Sequence, residues 1–297
     1  MKILLTGSSG FLGRHILEVL KHFEIVTLSK KGADICMDLS EDTKKLPMVD
    51  TVIHAAGRAH SVPKTKEDCE LFFKINLAGT LNLLENLALS QAIPKKFVYI
   101  SSVSVYGVTS GKNMNEDTPL LATDPYGLSK IKAEKAVIDW GIENRVVCTI
   151  LRLPLLIGEN PKGNLNSMII SITKGYYFNV GTGSARKSMV LAKDVARAIP
   201  IVAEIGGVYN LTDGYHPSFS ELANKIAQKL NKSIPGNLHP FLCKIAGWIG
   251  DIIGDKFPIN TAKLIKINSN LTFDDSKAKS TFQWHPSPVL NNLSFLE

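Results

Sequence analysis

The stretch Lys2-Ile3-Leu4-Leu5-Thr6-Gly7-Ser8-Ser9-Gly10-Phe11-Leu12-Gly13 decides how the rest of the chain is read. Its apolar opening predicts a short buried strand over Lys2–Thr6. Phe11–His22 then sets Leu12, Ile16 and Leu20 on one helical face. Between strand and helix the glycines recur at every third position. Gly7 allows a sharp turn, Gly10 removes a Cβ where a pyrophosphate would approach, and Gly13 lets the helix lie close to the strand. The helix N-terminus offers free N–H groups and the positive end of its dipole to phosphates. Gly7, Ser9, Gly10, Phe11, Leu12 and Gly13 are therefore candidate contacts for a dinucleotide.

Outward from this loop, strands and helices alternate. Strands are expected at Ile25–Ser29, Ile35–Met37, Thr51–His54, Phe97–Ser101 and Val146–Leu151. Helices are expected at Leu71–Ser90, with Leu77, Leu81, Leu84 and Leu87 in register, and at Tyr126–Trp140. Continuous apolar strands joined by helices predict an α/β fold, a Rossmann-type doubly wound parallel sheet. After Arg152 the rhythm changes to a Pro- and Gly-rich stretch through Lys162. Helical patterns return at Leu165–Lys174, Asp194–Glu204 and Ser220–Leu230, with one more strand at Val208–Leu211. The expected division is a dinucleotide-binding domain over residues 1–153 plus about 187–213. A smaller, mixed C-terminal substrate domain takes 154–186 and 214–297.

About 20 residues after the glycines, an acidic residue at a strand end would accept from the adenosine 2′-hydroxyl and favour NAD. Here stand Ser29, Lys30 and Lys31. A hydroxyl and two ammonium groups suit a 2′-phosphate, so NADP is favoured over NAD. The alternatives are an exposed lysine pair, or Asp34 reaching back to the ribose. Asp38 and Leu39 are placed to touch the adenine. Ala55, Ala56 and Gly57 supply small residues where backbone passes close to a cofactor.

Tyr126-Gly127-Leu128-Ser129-Lys130 puts a phenol and an ammonium at i and i+4 on one helix face. A phenol of pKa about 10 needs a neighbouring positive charge to act as a base at neutral pH. Tyr126 could then move the proton of a hydroxyl or carbonyl oxygen while hydride passes to or from a nicotinamide. The strand ending in Ser101-Ser102-Val103-Ser104-Val105-Tyr106-Gly107 brings hydroxyls to where an open parallel sheet binds ligands.

The glycine loop, Asn76 with Ala78-Gly79-Thr80, the Ser-Ser-x-x-Val-Tyr-Gly run and Tyr-x-x-x-Lys stand in this order. Together they resemble the extended short-chain dehydrogenase/reductase superfamily, in its NAD-dependent epimerase/dehydratase branch. The resemblance runs over nearly the whole chain and is strongest over residues 1–160. It implies Tyr126 as acid/base and Lys130 as the residue that binds the nicotinamide ribose and lowers the Tyr126 pKa. It implies Ser102 on the reacting oxygen, and Asn76 in support. Ser101 and Pro154 join the expected cofactor contacts, and Ser104 the substrate contacts. Relatives that eliminate water resemble one another in an Asp-Glu pair directly after the catalytic Ser/Thr. This chain has Val103-Ser104 there, which disfavours dehydration. Epimerisation through a keto intermediate, or reduction of a keto sugar in surface-polysaccharide biosynthesis, remains.

Pro161-Lys162-Gly163-Asn164-Leu165 resembles the opening of the substrate helix in UDP-sugar epimerases, with Asn164 on the sugar nucleotide. Arg186 or Lys187 resembles the cation that holds the diphosphate. The chain departs from UDP-glucose 4-epimerases at Pro154-Leu155 and in lacking the ribose-binding Asp. The competing reading is a carbonyl or hydroxysteroid-type dehydrogenase with a hydrophobic substrate, for which the apolar Phe241–Ile253 segment with Trp248 would fit an oily pocket or a membrane-surface contact.

Composition bounds these readings. The 297 residues are 44% hydrophobic and 21% charged, with 22 Gly and 14 Pro, which excludes disorder, collagen and coiled coil. The net charge of +7 is spread over scattered lysines without an arginine run or aromatic platform. That disfavours a nucleic-acid partner and favours a field attractive to small anions. Four cysteines without Cys-x-x-Cys spacing argue against a disulfide scaffold or a metal site. No export signal or apolar run of spanning length is visible, since Lys244 and Asp251 interrupt Phe241–Ile253. A cytoplasmic protein is expected, with a homodimer face available on Leu71–Ser90 and Tyr126–Trp140.

Overall fold

The computed structural model describes residues 1–59, 63–161, 163–181, 183–254 and 260–293. In chain order the strands are β1 (Lys2–Thr6), β2 (Glu24–Ser29), β3 (Ile35–Cys36), β4 (Thr51–His54), β5 (Lys96–Ser102), β6 (Gly111–Met114), β7 (Val147–Leu153), β8 (Leu155–Ile157), β9 (Asn179–Val180), β10 (Met189–Leu191), β11 (Gly207–Asn210), β12 (Asn237–Leu238) and β13 (Leu271–Phe273). The α-helices are α1 (Phe11–Val19), α2 (Lys66–Phe72), α3 (Gly79–Leu89), α4 (Pro125–Asn144), α5 (Gly163–Thr173), α6 (Ala192–Ile205), α7 (Phe219–Lys229), α8 (Pro240–Ile253), α9 (Thr261–Asn268) and α10 (Ser276–Phe282).

Seven parallel strands form the main sheet in the order β11-β7-β5-β4-β1-β2-β3. The order reverses beside β1, and there an open parallel sheet leaves a crevice at its carboxyl ends. The central strands are buried on both faces; Ile3, Leu4, Leu5, Val52, Ile53, Phe97 and Val98 are fully enclosed. One face carries α1 and α6, whose Ile16, Val195, Ile199 and Val202 meet Ile3, Leu5 and Val98. The other carries α3 and α4, whose Leu83, Leu87, Ala133 and Val137 meet Leu4, Val52 and Phe97. A third core lies outside the sheet, where Leu165 and Ile172 of α5 pack with Leu222 and Ile226 of α7 and Met189 of β10.

The expected elements are present with shifted ends. The helix expected at Phe11–His22 ends at Val19. The single helix expected at Leu71–Ser90 begins at Lys66, where the Thr65 side chain accepts from Asp68 N, and widens into π turns over Phe73–Ala78 before continuing as α3. Leu81 is exposed rather than buried. Apolar periodicity cannot register the π turns, since they add a residue without breaking the helix. The stretch after Arg152 contains β8, paired in parallel with β10, where a loop was expected.

Glu134 of α4 is the buried charge that ties this face together. Its carboxylate accepts from the Arg152 guanidinium of β7 at 2.8 Å and from the Ser101 hydroxyl of β5. Arg152 also reaches the Tyr106 hydroxyl, which donates to Asn210 of β11 at 2.8 Å. Removing one partner of such a pair strands the other in a dry interior. Glu134→Ala is therefore expected to cost about 3–5 kcal/mol in urea unfolding, against a far smaller loss for Lys135→Ala in an exposed pair on the same helix.

Candidate active site

The crevice is built on glycines that nothing larger could replace. Gly7 has φ +72°, and a Cβ there would lie 2.6 Å from Ala56 N. A Cβ on Gly13 would lie 2.1 Å from the Gly7 carbonyl oxygen. The loop thus seats against the Ala55-Ala56-Gly57 segment after β4, where Ala55 N and Ala56 N bond Thr6. No side chain caps α1 at Gly10, and its first turn holds no acidic residue. Its open N–H groups beside a loop with glycine at 7, 10 and 13 fit a cofactor's pyrophosphate.

At the end of β2 the Ser29 hydroxyl donates to the Lys31 carbonyl at 2.7 Å. Lys30 is paired with Asp38 at 2.6 Å, and this bond helps hold the Asp38 carboxyl at about 2, against the opposing effect of burial. Asp38 also accepts from Ser40, so its carboxylate is anchored locally. Leu39 packs beside Gly79. The Asp34 carboxylate accepts from Thr27 N at 2.9 Å and from the Thr27 hydroxyl at 2.7 Å. Lys31 is exposed and makes no ion pair among the described residues, so one of the two ammonium groups is unspent.

On the other side of the crevice, α4 presents Tyr126, Lys130 and Glu134 as one stripe. Asp124 caps the helix by accepting from Gly127 N at 3.0 Å, and Pro125 occupies its first turn. Gly127 sits so close to the turn after β5 that a Cβ would lie 2.8 Å from the Ser104 carbonyl. That approach sets the Tyr126 hydroxyl beside the Ser102 hydroxyl. The Ser102 hydroxyl also accepts from Ser104 N and shares a 3.1 Å contact with the Ser104 hydroxyl. Tyr126, Ser102 and Ser104 therefore converge, with Lys130 one turn further along α4.

Lys130 is buried, and burial pulls its ammonium down to about 8, partly opposed by Glu134. It donates to the Ile100 carbonyl at 2.8 Å and to the Tyr99 hydroxyl at 3.2 Å. Burial raises the Tyr126 phenol above its ordinary value, and the Ser102 bond only partly opposes this. The expectation that Lys130 lowers the Tyr126 pKa is corrected for the protein alone, because its ammonium bonds β5 instead of the phenol. A further positive charge is needed to draw the phenol down.

Behind this pair lies a hydrogen-bonded array that the sequence did not disclose. Thr80 donates to the Asn76 carbonyl at 2.6 Å, and so it accepts from His54 Nε2 at 2.9 Å. His54 Nδ1 then accepts from Thr6 at 2.6 Å, whose oxygen accepts from Ala56 N. Burial and Lys130 hold His54 near 3, so it is neutral and both its nitrogens are used. Asn76, in the π turns, bonds Arg58 N through Oδ1 and donates to the Ser129 hydroxyl, while Ser129 donates to the Tyr126 carbonyl. Glycine loop, β4 and α4 are thus one buried polar unit.

Two residues of the expected contacts have side chains engaged within the chain. The Ser101 hydroxyl is spent on Glu134, which leaves only its backbone for a cofactor. Lys187 is buried, and its ammonium donates to the Lys266 carbonyl at 2.8 Å and to that of Ser269. Arg186 keeps an accessible guanidinium, stacked 5.2 Å from the Tyr215 ring centroid and 3.1 Å from the His216 carbonyl. It also faces the Glu221 carboxylate at 3.8 Å. Asn164 is exposed in the first turn of α5, while Lys162 lies outside the described residues. Pro154 breaks the chain between β7 and β8. Among the described residues no group of His, Cys, Asp and Glu could hold a metal ion.

The model of the NAD dependent epimerase/dehydratase family matches residues 3–211. The chain belongs to this family. It is 28% identical to the N-acetyl-alpha-D-glucosaminyl-diphospho-ditrans,octacis-undecaprenol 4-epimerase of Escherichia coli O157:H7, over 94% of this chain and 89% of that protein. It is 27% identical to the UDP-glucose 4-epimerase of Vibrio cholerae, over 97% of this chain and 92% of that one. The fold superposes on the NADPH complex of RMD from Pseudomonas aeruginosa with a TM-score of 0.77 and 24% identity, covering 99% of this chain and 97% of that one. The protein is an NAD(P)-dependent enzyme of the extended short-chain dehydrogenase/reductase type.

The site generates two expectations. Lys130 loses its charge as pH rises through about 8. The value of kcat/KM, which reports the free enzyme, should therefore fall above that pH; a profile flat to pH 10 would remove the ammonium from the mechanism. Ser29→Asp should shift the ratio of dissociation constants from NADPH towards NADH by at least tenfold, because a carboxylate repels a 2′-phosphate and accepts from a 2′-hydroxyl. Unchanged ratios in fluorescence titrations would place that discrimination elsewhere.

Proposed function

We propose that the protein moves hydride and a proton at one carbon of a sugar carried on a diphosphate, as a 4-epimerase or a 4-keto reductase. The observation that carries this reading is the convergence of the Tyr126 and Ser102 hydroxyls beside buried Lys130, at the carboxyl end of β5. Ser102 holds the reacting oxygen. Tyr126, as phenolate, takes the hydroxyl proton when the carbon is oxidised, and as phenol returns one when the carbonyl is reduced. Lys130 holds the nicotinamide ribose. NAD(P) supplies the acceptor or donor of hydride when bound; Gly7, Ser9, Gly10, Phe11, Leu12 and Gly13 would hold its pyrophosphate, and Ser29 and Lys31 favour the 2′-phosphate of NADP. Asn76 fastens the helix behind the site.

Val103 and Ser104 carry no carboxyl with which to abstract a proton and expel water, which supports hydride chemistry over dehydration. Arg186 and Asn164 suit the diphosphate and the sugar. The two relatives above are named for a UDP-linked and a polyprenyl-diphosphate-linked sugar. The diphosphate is common to both, and it weighs against a steroid-like substrate. Residues 1–153 with about 187–213 would bind the cofactor, and the remainder the substrate. The groove between α3 and α4, lined by Leu81, Leu84, Ala88 and Trp140, would pair two copies. Four unpaired thiols fit a reducing compartment such as the cytoplasm.

Tyr126→Phe is expected to lower turnover about 10²–10⁴-fold while NAD(P)H affinity stays within a few-fold of wild type. Undiminished turnover would refute the assignment. Mass spectrometry of the native protein separates the two reactions. Oxidised cofactor retained through purification supports an epimerase, and readily exchanged NADPH a reductase.

A further inference from the structure

We propose that Tyr99 is a positioning residue for the active site: its buried hydroxyl, together with the Ile100 carbonyl, holds the Lys130 ammonium so that the remaining N–H bond is aimed at the cofactor. An ammonium carries three donors on a flexible four-carbon stem. Lys130 directs one donor to the Ile100 carbonyl at 2.8 Å and one to the Tyr99 hydroxyl at 3.2 Å. Its nitrogen also lies 4.6 Å from the Tyr99 ring centroid, within the range at which a cation is drawn to an aromatic face. Both anchors are neighbours on β5, so the strand fixes the nitrogen from one side. On the other side passes Gly57, in the segment that seats the glycine loop; a Cβ there would lie 3.5 Å from Lys130 Nζ. On the reading that Lys130 holds the nicotinamide ribose, on which this inference rests, the third donor is the one that reaches it.

Tyr99 is itself rigid enough to impose a direction. It is fully enclosed, on a strand paired on both sides, with Tyr99 opposite His54 of β4 and Ile150 of β7. Its ring leans on the His54 ring at a centroid distance of 5.5 Å, and His54 is fixed in turn by Thr6 and Thr80. Burial and the nearby Glu134 and Tyr126 keep the Tyr99 phenol well above its ordinary value, so it meets the ammonium as a neutral acceptor.

The charged and titratable groups around Lys130 set what its loss would do. From β4 comes His54, which is neutral; from β5, Tyr99; from α4 itself, Tyr126 and Glu134; and from β7, Arg152, which is engaged by Glu134. Glu134 sustains the ammonium against burial, and the Tyr99 hydroxyl and the Ile100 carbonyl accept its protons. Phenylalanine at position 99 keeps the ring and deletes one of these acceptors. The charged form then loses a partner, and the amine gives up its proton at a lower pH.

The test is fluorescence titration of the full-length protein with NADPH over a pH series. In the wild type, affinity is expected to fall as pH rises through about 8. Tyr99→Phe should weaken binding several-fold and move that fall to lower pH by roughly one pH unit. In a Lys130→Met background the same substitution should change affinity by less than about twofold, because the group it acts through is gone. A Tyr99→Phe profile that superposes on the wild type overturns the proposal. So does a loss of affinity that persists undiminished beside Lys130→Met, which would make Tyr99 a packing residue alone. Near-ultraviolet circular dichroism checks that each variant is folded, and the pH profile of Tyr99→Phe decides by itself if Lys130→Met does not fold. Lys130→Met binding NADPH as the wild type does, with the same pH profile, would instead fault the ribose-binding reading, and the inference would fall with it.

Discussion

The alignment of half-buried Tyr126 with buried Lys130 and Glu134 on one stripe of α4 is the constraint to which the rest of the structure answers. Three ionisable groups at successive helical turns are pressed against β5, where each must find partners or lose its charge. Glu134 finds Arg152 and Ser101. Lys130 finds the Ile100 carbonyl and the Tyr99 hydroxyl, and still gives up part of its basicity. Tyr126 finds Ser102 and becomes a weaker acid. The same contact that stabilises α4 on the sheet therefore sets the chemistry of its first turn. Gly127 enforces it, because only a residue without a side chain lets the helix start so near the Ser102–Ser104 turn.

Behind the stripe, polar order runs without a gap from the glycine loop to α4. Thr6, His54 and Thr80 lie on different elements, yet each hydrogen bond fixes the direction of the next. A neutral His54 is essential to this order, since a proton on Nδ1 would leave two donors facing each other across Thr6. Burial holds the ring neutral at every ordinary pH. The array preorganises the crevice before any ligand arrives, in a dry interior where a misplaced donor is costly.

Much of this could be read from the chain. The glycine spacing, the Tyr-x-x-x-Lys pair and Ser102 lie in local patterns whose meaning depends on a few neighbours, and the strands are continuous apolar runs. What escaped depends on distant partners. Nothing near Lys187 reveals that the Lys266 and Ser269 carbonyls wait for it. Nothing in Leu71–Ser90 shows that the backbone widens at Asn76. Leu81 fits the apolar period but looks outwards, because the sheet beneath α3 is already covered by Leu83, Leu84 and Leu87. The pairing of Lys30 with Asp38 likewise halves the positive charge that the sequence alone offered to a 2′-phosphate.

The central claim is that burial first raises the Tyr126 phenol and that only a positive ring beside it makes the phenolate accessible. The direct measurement is the ultraviolet titration of the phenolate band, taken as the difference between wild type and Tyr126→Phe, with and without oxidised NAD(P). The account predicts that without cofactor the Tyr126 phenolate forms only above the ordinary phenol value of about 10, and that saturating oxidised cofactor moves the transition to lower pH. Identical transitions in the two titrations, or a phenolate already formed near neutrality in the protein alone, would contradict it.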